Sequence, residues 1–318
     1  MLNQYTIDLD LPSDQCWLPV LTDYREKIRE CEKQVDTLSR AHPFITNLGC
    51  KILSYTCKQG LVMYHEELKA IAKFLDLPLG KIVAIQLVYE LLAGCTTIAI
   101  NSQSGTTLVR TMDWDMSFLK QLTIDVIFVK DHKQLFQATT WAGYIGILTG
   151  YRFDHYALAM NFRSDENLRF NRIMSAITGN YPVGFLCRDV LTKAETFNDA
   201  NQLLCQSALI TPCYFTLVGK QIAHVIVRDT RNYKVYYYDL EKEFAVQTNI
   251  DPLDEKPKRN ILWSKERQDL VKEYLQSQRL VSITDLWQLI SQPPIKNIHT
   301  IYQCIICIEN KMYESKIN

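Results

Sequence analysis

The sequence has no excess of charge of either sign: 35 lysines and arginines stand against 35 aspartates and glutamates in 318 residues. A formal net charge of zero supplies no general attraction to nucleic acid or to an anionic membrane, so no nucleic-acid partner is expected. No stretch of about 18 apolar residues runs free of charge, which argues against a transmembrane helix. The N-terminal "MLNQYTIDLDLPSDQ" lacks a basic start followed by an apolar core. No secretory signal is therefore read, and a cytoplasmic location is expected, with export by a signal-less route left open. The ten cysteines are scattered and, without such a signal, read as reduced thiols.

Several catalytic signatures are missing too. There is no Gly-x-Ser-x-Gly and no His-Glu-x-x-His. Gly143, Gly146 and Gly150 in "WAGYIGILTG" fit neither the P-loop nor the dinucleotide fingerprint and read as turn or close-packing glycines. The six histidines (His42, His65, His132, His155, His224, His299) form no obvious pair, although a Cys–His enzyme would need one of them. His224 reads as a packed or surface histidine. Cys304 and Cys307 have zinc-like spacing, but on a strand positions three apart face opposite ways, so they read as structural thiols. Neither a metal nor a cofactor is expected.

What is present is a globular composition, 47% hydrophobic and 22% charged, long enough for one large domain or two smaller ones. Residues 1–94 read mostly as helix, in "REKIRECEKQVDTLSRA", "MYHEELKAIAKFLDL" and "LGKIVAIQLVYELLA". From Cys95 the apolar period changes to two, in "TTIAIN", "TTLVRTM", "LTIDVIFV" and "LFQATT". Helices follow in "ENLRFNRIMSAIT", "VGFLCRDVLTKA" and "FNDANQLLCQSAL", then strands in "CYFTLVG", "AHVIVRD", "YKVYYYDL" and "EFAVQTN". The chain closes with helices near 262–277 and 284–290 and a strand near 298–308. The charged "DEKPKR" at 254–259 reads as an exposed loop, and the tyrosines at 236–238 as sheet packing. Strands and helices in this alternation predict an α+β fold of two antiparallel sheets packed face to face with helices outside.

One stretch calls for chemistry. In "ELLAGCTTIAINSQSGTTLVRTMDWD", Cys95 opens a strand, a hairpin turns near Gly105, and Arg110 and Asp113 return towards the start of the first strand. A buried small hydrophobe is the ordinary reading of such a cysteine. A chain cut between Gly94 and Cys95 would instead give the thiol a base of its own, an α-amine with a pKa of about 7.7–8.0. Arg110 would favour the thiolate and Asp113 would orient the amine. Asn249, at the end of "AVQTN", would polarise the attacked carbonyl.

Five segments in one order then resemble a known family. "YTIDLDLP", "LPLGKIVAIQLVYELLAGCTTIA", "RTMDWD", "WAGYIGILTG" and "VQTNID" are similar to segments of the acid ceramidase and N-acylethanolamine-hydrolysing acid amidase family of N-terminal nucleophile hydrolases. The resemblance implies a four-layer αββα sandwich preceded by a helical pro-segment, and a proenzyme that cuts itself before the cysteine. Residues 1–94 would be the α fragment and 95–318 the β fragment, the two staying associated. Carried over by position, Cys95 is the nucleophile and base, Arg110 and Asp113 hold it, and Asn249 is the oxyanion donor. Arg267 in "SKERQDL" matches an arginine of the family's late helix. The implied substrate is an N-acyl lipid, ceramide or N-acylethanolamine, with transient contact at a membrane surface. The helices at 62–75 and 82–93 would line an acyl channel or lie against that membrane.

The chain departs from the family at three positions. Gly94 stands where a bulky apolar residue precedes the cysteine, and Ile250 where an aromatic follows Thr-Asn. Phe162, in "ALAMNFRSDEN", replaces the glutamate of Asn/Asp-Glu-Arg, with Asp165 or Glu166 as possible stand-ins. Two alternatives stay open: a hydrolase of another amide, such as a conjugated bile acid, and an uncleaved homologue that only binds lipid or protein.

Overall fold

The structure, a computed structural model, describes residues 2–39, 43–88, 93–164, 180–254, 257 and 259–317. The expected helix at 166–178, the stand-ins Asp165 and Glu166, and part of the 254–259 loop lie outside the described residues.

The N-terminal segment holds α1 (Leu18–Ser39), α2 (Pro43–Lys58), α3 (His65–Leu75) and α4 (Leu79–Val88). It is not all helix, because it begins with a strand, β1 (Gln4–Asp8). The periodicity reading also omits α2. Its "PFITNLGCKILSYTCK" is rich in β-branched residues, Gly, Ser and Asn, all weak helix formers, so tertiary contact rather than propensity forms it.

The strands of the remainder are β2 (Gly94–Ser102), β3 (Gly105–Asp113), β4 (Thr123–Lys130), β5 (Lys133–Trp141), β6 (Thr149–Arg152) and β7 (Tyr156–Phe162). After helices α5 (Val183–Lys193) and α6 (Phe197–Gln206) come β8 (Cys213–Gly219), β9 (Ile222–Arg228), β10 (Tyr233–Asp239) and β11 (Ala245–Gln247). Helices α7 (Ser264–Ser277) and α8 (Ile283–Ile290) precede β12 (Thr300–Cys307) and β13 (Met312–Ile317). Strands β6, β7 and β13 are additional to the sequence reading. The first two fall where glycines and a motif drew attention instead.

Two sheets result. One has eight strands in the order β1-β4-β5-β6-β7-β8-β9-β10, and the other five in the order β11-β2-β3-β12-β13. Both are antiparallel except for the β1–β4 pair, which runs parallel. Strand β2 packs on β7 and β8 across the gap between sheets, α5 and α6 cover the larger sheet, and α7 and α8 cover the smaller. This is the four-layer αββα sandwich. Period-two alternation sorts each strand between two cores. Ala99, Leu108, Met112 and Ile306 join the core between the sheets, whereas Ile98, Ile100, Val109 and Ile305 pack under α7 and α8 with Val271, Leu286 and Leu289.

The glycines of "WAGYIGILTG" are close-packing positions. A Cβ on Gly146 would lie 2.5 Å from the Tyr144 ring, and Gly143 has a φ of +88°. Cys304 and Cys307 are buried on β12, and no disulfide joins the described cysteines. Tyr237 faces outward from the edge strand β10, 69% exposed, while Tyr236 and Tyr238 pack against the core. Among the described residues no helix is long and apolar enough to cross a membrane.

Candidate active site

The β2–β3 hairpin builds the site by register. Gly94 pairs with Asp113, Cys95 with Met112 and Thr97 with Arg110. Strand β11 pairs with β2 on the other side, with Ala245 opposite Ala99 and Gln247 opposite Thr97. Continuing that antiparallel register two residues past Gln247 brings Asn249 level with Cys95. Arg110 and Asp113 are three residues apart on one strand, so they leave on opposite faces of the sheet.

On the inner face, Arg110 is completely buried. Its Nη2 donates to Cys95 Sγ at 3.2 Å and to the Met160 carbonyl; its Nη1 donates to Asn161 Oδ1 at 2.8 Å and to Thr97 Oγ1 at 3.2 Å. These partners include no carboxylate, and the group among them that can ionise is the Cys95 thiol. Cys95 is itself 1% exposed. Burial pushes its thiol up, Arg110 pulls it down, Asp113 pushes it up and Arg267 pulls it down, with a net rise. Asn161 Nδ2 donates to the carbonyls of Gln247 at 2.8 Å and Thr248 at 3.2 Å. It thereby ties Arg110 to the segment that carries Asn249.

On the outer face the organiser is Arg267, from α7, also completely buried. Its Nη1 donates to the Cys95 carbonyl at 2.6 Å and to Thr96 Oγ1 at 2.7 Å, and its Nη2 to Asn249 Oδ1 at 3.0 Å. Its Nε donates to the Leu262 carbonyl at 2.8 Å. Asp113 accepts from Thr300 Oγ1 at 2.7 Å and lies 3.7 Å from Arg267. Burial raises the Asp113 carboxyl above the usual carboxylate range, with Arg267 opposing. Between the two faces, Asn249 Oδ1 accepts from the Cys95 amide at 2.8 Å. Its Nδ2 donates to the carbonyls of Phe162 at 2.8 Å and Ala93 at 3.2 Å.

Cys95, Arg110, Asp113, Asn249 and Arg267, distant in sequence, thus surround the Gly94–Cys95 peptide. Two details differ from the sequence expectation. In this continuous chain the Cys95 nitrogen is held by Asn249 rather than Asp113, which neighbours the cysteine on the outer face beside Arg267. The carbonyls held by Asn249 are those of Phe162 and Ala93, the latter one residue short of the Gly94 carbonyl. Sequence reasoning did not single out Asn161, Thr97, Thr96 or Thr300. Only Asn161 carried a signal, as the first residue of its quoted three-residue segment. His224 lies elsewhere, on β9, bonded through Nδ1 to Asn201 Oδ1 at 2.8 Å and packed between the rings of Phe197 and Tyr237.

This constellation has relatives. The family model for linear amide C–N hydrolases of the choloylglycine hydrolase family matches residues 95–250, beginning on Cys95 itself. An uncharacterised protein of Acanthamoeba polyphaga mimivirus is 29% identical over 322 residues, covering 98% of both chains. Homo sapiens acid ceramidase is 29% identical over 343 residues, covering 98% of this chain and 85% of its own. The Caenorhabditis elegans ortholog of N-acylethanolamine-hydrolysing acid amidase superposes with a TM-score of 0.60 at 25% identity, over 70% of this chain and 100% of its own. Residues 95–250 are thus similar to the linear amide C–N hydrolases. That similarity agrees with a site that gathers a thiol, two buried arginines and amide donors around one backbone bond.

Proposed function

We propose that the protein is a self-processing cysteine amidohydrolase that cleaves an N-acyl lipid, a ceramide or an N-acylethanolamine, to a fatty acid and an amine. One observation carries this reading: the thiol, amide and carbonyl of Cys95 are each held by a different buried side chain, Arg110, Asn249 and Arg267. A structural cysteine has no use for such fixation of all three groups. In processing, the thiol attacks the Gly94 carbonyl carbon and the C–N bond to Cys95 breaks. The nitrogen takes the thiol proton, and water hydrolyses the thioester to free the Gly94 carboxyl and restore the thiol. The freed amine then serves as base for the same sequence on an external amide, with the amine product as leaving group and a fatty acid released by water. Arg110 stabilises the thiolate, Arg267 fixes the Cys95 backbone, and Asn249 is the donor to the oxyanion.

The substrate class rests on relatives named for ceramide and for N-acylethanolamine, both N-acyl amines. Two small apolar cavities lie beside the N-terminal helices, one of about 40 Å³ lined by Ile28, Leu75, Ile82, Ile85 and Leu119, the other of about 30 Å³ lined by Leu53, Met63, Val83 and Phe185. Neither holds an acyl chain as it stands, so an acyl group would need these helices to part. For the membrane contact the favoured surface is α2, where Leu48, Ile52 and Tyr55 form one exposed stripe.

The test is the intact mass of purified protein after incubation from about pH 4 to pH 8, beside Cys95→Ala, followed by assay on a panel of N-acyl amides. Fragments 1–94 and 95–318 that are absent in the variant, with amide hydrolysis by the cut form, are expected. A single uncut chain that is inert on every amide favours the second reading, a lipid-binding homologue. The observations behind that alternative are the complete burial of Cys95 and Phe162 in the glutamate position.

A further inference from the structure

We propose that Leu262 determines which acyl groups the site accepts, by excluding a substituent on the carbon next to the attacked carbonyl. The inference rests on the reading of Cys95 as nucleophile towards both its own chain and external amides. The same sulfur and the same donors serve both reactions, so the substrate carbonyl takes the place of the Gly94 carbonyl. The substrate's α-carbon then takes the place of Gly94 Cα, and its chain continues along the direction of the Gly94 nitrogen.

That place is closed on one side. A Cβ built on Gly94 would lie 2.5 Å from Leu262 Cδ1, 3.3 Å from Leu262 Cβ and 3.3 Å from Asp113 Cβ. Rotating the leucine relieves the first contact and leaves the other two. The backbone beneath it is pinned, since Arg267 Nε donates to the Leu262 carbonyl at 2.8 Å and Nη2 to the Ile261 carbonyl at 3.2 Å. That guanidinium also holds the Cys95 carbonyl at 2.6 Å, so Leu262 cannot retreat without disturbing the nucleophile. Leu262 and Trp263 have φ of 45° and 58°, left-handed values that turn the chain sharply just before α7. Asp113 Cβ is equally fixed, because Asp113 is the cross-strand partner of Gly94.

Two consequences follow. Gly94 becomes intelligible: the volume of a side chain before the nucleophile is supplied here by Leu262 from across the site. The acyl group must carry hydrogen where that Cβ would be. Straight-chain acyl amides fit. The R hand of a 2-methyl acyl amide places its methyl at the L-residue Cβ position and is rejected, whereas the S hand is not opposed by these contacts.

The experiment has two arms, both read on the full chain. In the first, self-cleavage of wild type, Gly94→Ala and Gly94→Ala/Leu262→Ala is followed by intact mass. Gly94→Ala is expected to slow cleavage about tenfold or more, and the second substitution to recover most of that loss. In the second arm, wild-type protein hydrolyses matched straight-chain, (R)-2-methyl and (S)-2-methyl acyl amides of one amine. A preference of about tenfold or more for straight over R is expected, with a smaller one over S, and Leu262→Ala should collapse the R penalty. A wild type that is cut while Gly94→Ala is cut equally fast, or that treats R and S alike, overturns this inference alone. A wild type that is neither cut nor active overturns the nucleophile reading and this inference with it. The second arm needs no variant to decide, so poor folding of Gly94→Ala does not shield the proposal.

Discussion

At the scale of single residues, the site is an arrangement of two buried cations around one thiol, and each has a distinct burden. Arg110 faces the sulfur, whereas Arg267 faces backbone carbonyls and Asp113. Burial raises the Asp113 carboxyl, with Arg267 the foremost opposing group. Its folded pKa therefore exceeds the unfolded value of about 3.9. The folded protein holds that proton more tightly, so the contribution of Asp113 to stability is fullest below the unfolded value and is lost as pH rises through the folded one. Arg267→Met removes the cation and leaves a buried carboxyl, which should lower stability by about 3–5 kcal/mol at pH 8. Near pH 5 the deficit should shrink as Asp113 takes up a proton. Urea unfolding at both pH values reads this, and equal deficits would show that Asp113 is not the group left uncompensated. Cys95, Arg110, Asp113, Asn249 and Arg267 were all legible in the sequence because each sits in a recognisable segment. Thr96, Thr97, Thr300 and Leu262 were not, because nothing local distinguishes them from residues that merely fill a sheet or a turn.

Elements carry a second layer of meaning. Strand alternation was legible wherever a strand spans several periods, as in β2, β3 and β4. It was less so in β6, which has four residues, all buried, and so shows no inside–outside pattern. Helix α2 escaped for the opposite reason, since its exposed face mixes apolar residues with Lys51 and Lys58: Leu48 is 51% exposed, Ile52 39% and Tyr55 64%. An amphipathic reading needs a polar outer face, and this helix interrupts its own with exposed apolar side chains. Replacing Ile52 and Tyr55 with glutamate should weaken binding to vesicles of zwitterionic lipid about tenfold or more while leaving thermal stability nearly unchanged, because neither side chain is in the core. Co-sedimentation with vesicles decides it. Unaltered binding would show that α2 makes no membrane contact.

At the scale of the whole molecule, residues 1–94 do not stand apart from the rest. Strand β1 extends the larger sheet beside β4. Glu67 of α3 receives both ends of the Arg188 guanidinium from α5, at 2.8 and 2.9 Å, and the Trp17 indole N–H at 2.6 Å. Arg188 also stacks over the Tyr64 ring, 4.2 Å from its centroid. A buried ion pair of this kind holds two parts of a chain in one geometry, whether or not the backbone between them is cut. Glu67→Gln leaves Arg188 buried without its anion and should cost about 3–5 kcal/mol in urea unfolding. In cleaved protein the same substitution should release fragment 1–94 at lower urea, as read by size-exclusion chromatography. Co-elution up to the wild-type urea concentration would show that the sheet and the apolar contacts suffice without the ion pair.

The sequence by itself determined the αββα class, through the alternation of strand and helix patterns, and the identity of the chemical groups, through a cysteine opening a hairpin with an arginine and an aspartate on the return strand. Those are properties of periods and short spacings, which a linear reading captures. Only the tertiary structure decided how the groups are shared between the two faces of the smaller sheet. The reason is register: Asn249 meets Cys95 because β11 pairs with β2 across 154 residues, and Arg267 meets both from a helix on the outer layer. The contact of Leu262 with Gly94 belongs to the same class, since the volume available beside the Gly94–Cys95 peptide depends on a turn 168 residues away in the chain, counted as 262 minus 94.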